Sequence, residues 1–307
     1  MSISVPRYTR TLLVRRTHGV SQAKRYISAS SSEPHAYLRP LLQSKQDAEG
    51  DQGQLESVMC LVLNRPNTKN ALSVRMVGEM REALAKLNSM CLTSARILLL
   101  HSSQPGIFCS GADLRERGTM TQGQVSNFLD SLRDLLKELE GIRIPSIGVI
   151  DGYALGGGAE LALGCDLRVG GENTKIALPE TKLGIIPGAG GTQRLTHLIG
   201  ISKAKEMIYT GRHIDGIEAE RIGLLNRYSP TTSSPLKEAL LLSCQILSSA
   251  PLALSAAKSA ISSAGRLSLE DGLDLERNVY NALLDTEDRQ EGLMAFKEKR
   301  RAVFKGK

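Results

Sequence analysis

Apolar positions in this chain follow two rhythms. VMCLVLN (58–64), RILLLHS (96–102) and SIGVIDG (146–152) are short, nearly continuous apolar runs. Runs of that length predict strands buried on both faces. Arg65-Pro66 ends the first of them, because proline lacks the N–H that a sheet ladder requires. Elsewhere the spacing is helical. In ALSVRMVGEMREALAKLNSM (71–90), Leu72, Met76, Met80, Leu84 and Leu87 recur every three to four residues, and VSNFLDSLRDLLKELEGI (125–142) is similarly amphipathic. Both are predicted helices. Strands alternating with helices imply an α/β body with covered sheets, over residues 57–200. From 201 to 307 only the helical rhythm persists, through PLKEALLLSCQILSS, PLALSAAKSAISSAG, LEDGLDLERNVYNALL and TEDRQEGLMAFKEKR, the last opening on a capping Thr286. Residues 33–56 are polar and weakly patterned, a linker or a ragged first strand. No repeat of fixed 20–50-residue period is visible.

Charge separates the first 32 residues from the rest. They hold six of the 39 Lys and Arg (Arg7, Arg10, Arg15, Arg16, Lys24, Arg25), no acid and many hydroxyls. That composition predicts a mitochondrial transit peptide and a matrix location, the alternative being a disordered basic arm. The remaining 33 basic residues face 32 acids, so the net charge of +7 is no argument for a nucleic-acid partner. No run of about 18 apolar residues occurs, and no membrane span is expected. The five cysteines (Cys60, Cys91, Cys109, Cys165, Cys244) are scattered without a CxxC pair, which predicts reduced, mostly buried thiols. The five histidines are equally dispersed, and no metal site is expected.

Candidate chemistry sits in three glycine-rich segments. Gly156-Gly157-Gly158 stands at a strand-to-helix corner, followed by Glu160 in AELALGCD. Glycines there let a ligand lie against backbone N–H groups. The spacing fits neither a P-loop nor a dinucleotide fingerprint. FCSGADL (108–114) offers a second tight turn at Gly111, with the Ala112 N–H as a donor. Two convergent N–H groups would form an oxyanion hole; two ordinary turns are the plainer alternative. Glu160 and Glu180 (in LPETKLGIIPGAGG) both lie in apolar or glycine-rich company, where desolvation raises a carboxylate pKa toward neutrality. Alternatively each is a surface acid, and Lys182 is a ready ion-pair partner for Glu180.

Taken in order, VLNRPNTKNALS (62–73), PGIFCSGADL (105–114), IDGYALGGGAELALGCDLRV (150–169), ALPETKLGIIPGAGGTQRL (177–195) and GLMAFKEKR (292–300) resemble the crotonase, or enoyl-CoA hydratase/isomerase, superfamily across residues 58–307. The resemblance implies an α/β spiral of ββα turns with a C-terminal helical trimerisation region, assembling as a homo-trimer or a dimer of trimers. It implies an acyl-CoA substrate whose thioester oxygen meets the N–H groups of Ala112 and Gly157, and a water handled by Glu160 and Glu180. Gly111, Asp113, Leu114 and Gly188 match substrate-binding positions, and Phe296 and Lys299 match positions that contact the CoA nucleotide. Coenzyme A is part of the substrate, so no separate cofactor is implied. The expected reaction is hydration of a short or branched enoyl-CoA in fatty acid or branched-chain amino acid breakdown. Δ3-Δ2-enoyl-CoA isomerisation is the alternative, and having both glutamates favours hydration. PGIFCSGADLRER and ETKLGIIPG look most like the mitochondrial 3-methylglutaconyl-CoA hydratase branch, known also for RNA binding, whereas Pro179 looks more like general short-chain hydratases. That branch has a lysine-rich RNA helix; residues 74–89 here set Arg75, Arg81 and Lys86 against Glu79 and Glu82. RNA binding is therefore not expected.

Overall fold

A computed structural model describes residues 33–41 and 55–307; the expected transit peptide, 1–32, lies outside the described residues, as does 42–54. In chain order the body comprises β1 (Ala36–Pro40), β2 (Val58–Leu63), α1 (Val74–Asn88), β3 (Ile97–Ser102), β4 (Ile107–Cys109), α2 (Leu114–Arg117), α3 (Gln122–Glu140), β5 (Ser146–Ile150), β6 (Tyr153–Leu155), α4 (Gly157–Leu163), β7 (Leu167–Gly171) and β8 (Lys175–Ala177). A 3-10 turn (Glu180–Leu183), α5 (Gly191–Ile199), α6 (Ile201–Thr210), β9 (Ile214–Asp215), α7 (Gly216–Arg221) and β10 (Arg227–Ser229) follow. The chain then runs through α8 (Pro235–Leu247), α9 (Pro251–Ser263), α10 (Leu269–Asn281) and α11 (Glu287–Glu298).

The strands form two sheets, β1-β2-β3-β5-β7-β10 and β4-β6-β8-β9. Pairing is parallel except at β1 with β2 and β9 with β8. Three times the chain lays a strand in the large sheet, crosses to a short strand in the small sheet and leaves by a helix: β3–β4–α3, β5–β6–α4, β7–β8–α5. This is the crotonase-type spiral that the resemblance implies. Its turns begin at residues 97, 146 and 167, so unequal lengths hide the repeat from a fixed-period reading. The ragged segment does hold a strand: β1 pairs with β2, and the Glu79 carboxylate accepts the His35 and Ala36 N–H groups at 2.6 and 2.9 Å.

Strand alternation explains the continuous apolar runs. Met59, Leu61, Leu63, Leu98 and Leu100 point into the main core with α1, α3, α4, α5 and α6. Val58, Cys60, Val62, Ile97 and Leu99 point the other way, into a second core closed by Ala239 and Leu247 of α8. Several helix starts carry side-chain caps: Ser73 Oγ accepts the Met76 N–H, and Thr121 with Gln124 forms a capping box. Among the described residues no single helix is long and apolar enough to cross a membrane.

Candidate active site

The three glycine-rich segments meet at the ends of β4, β6 and β8. The glycine triplet has steric causes. Gly156 adopts φ 52°, ψ −123°, a region closed to side chains with a Cβ. A Cβ on Gly158 would lie 2.3 Å from the Cys109 carbonyl oxygen, so only glycine lets α4 settle onto β4. A Cβ on Gly157 would come within 3.6 Å of the Ala112 nitrogen, and one on Gly111 within 3.4 Å of the Gly157 nitrogen. The two peptide units thus adjoin, and among the described residues neither N–H finds a backbone acceptor.

What holds the Gly111 turn is the Leu72 backbone together with Asn70 and Arg65, side chains that the periodicity did not single out. Leu72 donates its N–H to Gly111 O at 2.7 Å and accepts from the Asp113 N–H at 3.0 Å. Asn70 is fully buried; it donates to Ser102 Oγ and Phe108 O and accepts the Arg65 N–H. Arg65 reaches Asp113 Oδ2 at 2.7 Å. Burial pushes the Asp113 carboxyl up, but the Arg65 hydrogen bond and the Glu116 and Arg115 N–H groups bring it below the usual range. Asp113, expected to bind substrate, therefore spends its carboxylate on Arg65 and on capping α2. Only the turn residues of NTKN (67–70) hinted at this support: Lys69 and Asn70 have φ near 55°, and asparagine tolerates that conformation better than most residues.

Glu160 lies on α4 and is 2% exposed. Its Oε1 accepts the N–H groups of Ala189 and Gly191, each at 2.8 Å, and among the described residues no donor reaches Oε2. Burial pushes its pKa up; the Gly191 and Ala189 N–H groups and the charge of Arg194 oppose that rise. Glu180 opens the 3-10 turn after β8, with Oε1 only 3.0 Å from where a Gly156 Cβ would stand. Its Oε2 is buried without a hydrogen-bond partner. Burial lifts this carboxyl to about 7; its own backbone N–H counteracts, and the Glu160 charge adds to the rise. The ion pair with Lys182 is absent. Residues 180–183 form a 3-10 turn, not the strand that would put both on one face, and the Lys182 stem runs along Gly211.

Leu114 and Gly188 stand exposed. Phe296 is 88% exposed near the end of α11, and Lys299 caps that helix in the left-handed conformation; no hydrogen bond or ion pair ties their side chains to the glutamates. The buried thiols of Cys109 and Cys165 are pushed up to about 12 by desolvation, which leaves them unreactive near neutral pH.

Two carboxylates of raised pKa, one buried and one half-buried, beside two open backbone donors on a spiral of ββα turns define an enzyme site of the crotonase fold. Sequence and structure comparisons agree. Residues 53–307 match the family described as enoyl-CoA hydratase/isomerase. The chain is 46% identical over 244 residues to "Probable enoyl-CoA hydratase 2, mitochondrial" of Arabidopsis thaliana, covering 80% of each chain. It is 42% identical over 252 residues to the mitochondrial methylglutaconyl-CoA hydratase of Mus musculus, covering 81% of this chain and 80% of that one. The crystal structure of enoyl-CoA hydratase from Bacillus anthracis superposes with a TM-score of 0.79 at 41% identity, over 82% of this chain and 96% of that one. The chain belongs to the enoyl-CoA hydratase/isomerase family.

Proposed function

We propose that the protein adds water across the 2,3 double bond of a short or branched enoyl-CoA thioester. The observation that carries this reading is the pair of a buried Glu160 and a half-buried Glu180, both raised in pKa and electrostatically coupled, next to the free N–H groups of Ala112 and Gly157. The thioester oxygen lies between the two N–H groups. As hydroxide adds at Cβ, negative charge grows on that oxygen, and each donor is worth about 3–4 kcal/mol in the transition state. Glu160, with Oε1 held by two amides, orients the water and takes its proton. Glu180, whose pKa of about 7 keeps much of it protonated at neutral pH, delivers a proton to Cα. The two titrate as a coupled pair. Coenzyme A enters with the substrate, and no further cofactor is needed.

The expected measurement is loss of the conjugated-thioester absorbance of crotonyl-CoA or 3-methylglutaconyl-CoA, with Glu160→Gln and Glu180→Gln each lowering kcat by about 10²–10⁴-fold. Native-like rates in both variants would sink the two-carboxylate reading. A 3-enoyl-CoA in the same panel separates hydration from isomerisation. The acidic-free, hydroxyl-rich 1–32 segment and the mitochondrial relatives support a mitochondrial matrix location. Exposed apolar groups on the C-terminal helices, among them Leu269, Tyr280, Leu293 and Phe296, support assembly as a homo-trimer or a dimer of trimers, with Phe296 and Lys299 serving the CoA nucleotide. On α1, Arg75 pairs with Glu79, and Arg81 pairs with Glu138, which argues against an RNA-binding face.

A further inference from the structure

The two amides that grip Glu160 belong to a turn that is itself gripped from behind. Arg194, on the first turns of α5, donates from Nη1 to the Ala189 carbonyl at 2.7 Å. Ala189 is also the residue whose N–H meets Glu160 Oε1. The guanidinium lies directly under Gly190, where a Cβ would come within 2.3 Å of Nη1. Gly190 takes φ 106°, the left-handed region that turns the 189 and 191 amides toward one oxygen. The other edge of the same guanidinium makes a two-point contact with Glu140, the last residue of α3: Nε meets Oε1, and Nη2 meets Oε2 at 3.1 Å. Planar, bidentate pairing of this kind fixes orientation as well as charge. The Arg194 and Glu140 side chains are 16% and 28% exposed.

We propose that Arg194, clamped by Glu140, is a positioning residue for the hydration reaction: it locks the 189–191 turn so that its two N–H groups aim the Glu160 carboxylate at the reacting water. This rests on the reading of Glu160 as the water-activating group. Arg194 acts through the Ala189–Gly190 peptide, whose carbonyl it holds. The turn could have been closed by backbone bonds alone, as in the Arg194 N–H to Gly190 O bond at 2.9 Å. Through Glu140, the side chain adds a strut to a different helix, α3. Charged groups that bear on Glu160 are Arg194 from α5 and Glu180 from the 3-10 turn. Around Arg194 stand Glu140 and, 3.7 Å from Glu140, Arg266 beyond α9. Without Arg194, Glu160 loses both a fixed pair of donors and a nearby positive charge, so its ionised form is disfavoured.

The test compares Arg194→Gln, Arg194→Lys and Glu140→Gln in the full chain with crotonyl-CoA as probe. Arg194→Gln is expected to lower kcat by about 10–100-fold with KM changed less than about threefold, and to move the acidic limb of the kcat profile to higher pH. Arg194→Lys keeps the cation but cannot make both contacts; it should hold the acidic limb near its native place and recover part of kcat. Glu140→Gln should lower kcat in the same direction as Arg194→Gln. Should Arg194→Gln not fold, the Lys and Glu140 variants carry the comparison, and native kcat and pH profile in both would overturn the proposal. A well-folded Arg194→Gln with native kcat and an unmoved acidic limb would overturn it too. So would a loss of kcat with no limb shift and no recovery by Lys, which marks a bulk structural role. A ¹³C titration of the Glu160 carboxyl, assigned by its absence in Glu160→Gln, reads the positioning without turnover; an upward displacement in Arg194→Gln is expected, and none overturns the proposal. A native chain that hydrates no enoyl-CoA, yet shows that displacement, defeats the functional reading and leaves the strut standing.

Discussion

Glu180 carries a buried oxygen with no donor, and that single atom couples stability to pH. An unfolded glutamate titrates near 4.5, whereas the folded carboxyl, desolvated and beside Glu160, is lifted to about 7. Between those values the folded chain holds a proton that the unfolded chain has released, so the fold weakens as pH rises through the window. The penalty is absent below about pH 4.5 and complete above about pH 7. Glu180→Gln should therefore melt higher than the native chain at pH 8, with the gap closing toward pH 4.5, while hydration is lost. A variant that melts lower at every pH would make this carboxylate a structural acceptor instead. Glu160, the more deeply buried of the two, has two amide donors and is the better solvated of the pair by the chain itself.

At the scale of elements, the site depends on how closely α4 approaches β4. Gly158→Ala would drive a methyl group into the Cys109 carbonyl, 2.3 Å away, a clash expected to cost about 3 kcal/mol and seen as a lower urea midpoint. Gly78, exposed in the middle of α1, has nothing within 4 Å of its missing Cβ; Gly78→Ala should raise stability by about 0.4–1 kcal/mol. If both glycines respond alike, close packing is not what selects glycine at 158. The long elements were legible because their apolar spacing is repeated many times: Leu72 to Leu87 marks α1 in the sequence itself. The short ones were not. β4, β6 and β9 have two or three residues each, too few for a period to emerge, so the second sheet appeared only in three dimensions. Glu160 and Glu180 stood out because charge interrupts an apolar setting. Arg194, Glu140 and Asn70 did not, because their partners lie 54 residues away in one case and 32 to 38 in the other.

Over the whole molecule, the large sheet is covered on two sides by parts of the chain that are far apart in sequence. The main core uses α1 and helices from α3 to α7, whereas Val58, Cys60, Val62, Ile97, Leu99, Ile147, Val149 and Val169 wait for Ala239 and Leu247 of α8. A chain ending at residue 234 should keep much of its strand signal yet bind a hydrophobic dye strongly and aggregate, because a contiguous apolar face of that size does not stay in water. Recovery of a monomeric, dye-silent fragment would show that α8 is dispensable.

That arrangement also sets an order of events during synthesis. All strands of the large sheet except β10 leave the ribosome tens of residues before the helix that shields their outer face, so a growing chain passes through a stage with most of the sheet made and one bare side. Elongation at about 5–20 residues per second makes the stage last seconds. A nascent chain of this design has reason to be held by a chaperone until its α8 segment emerges.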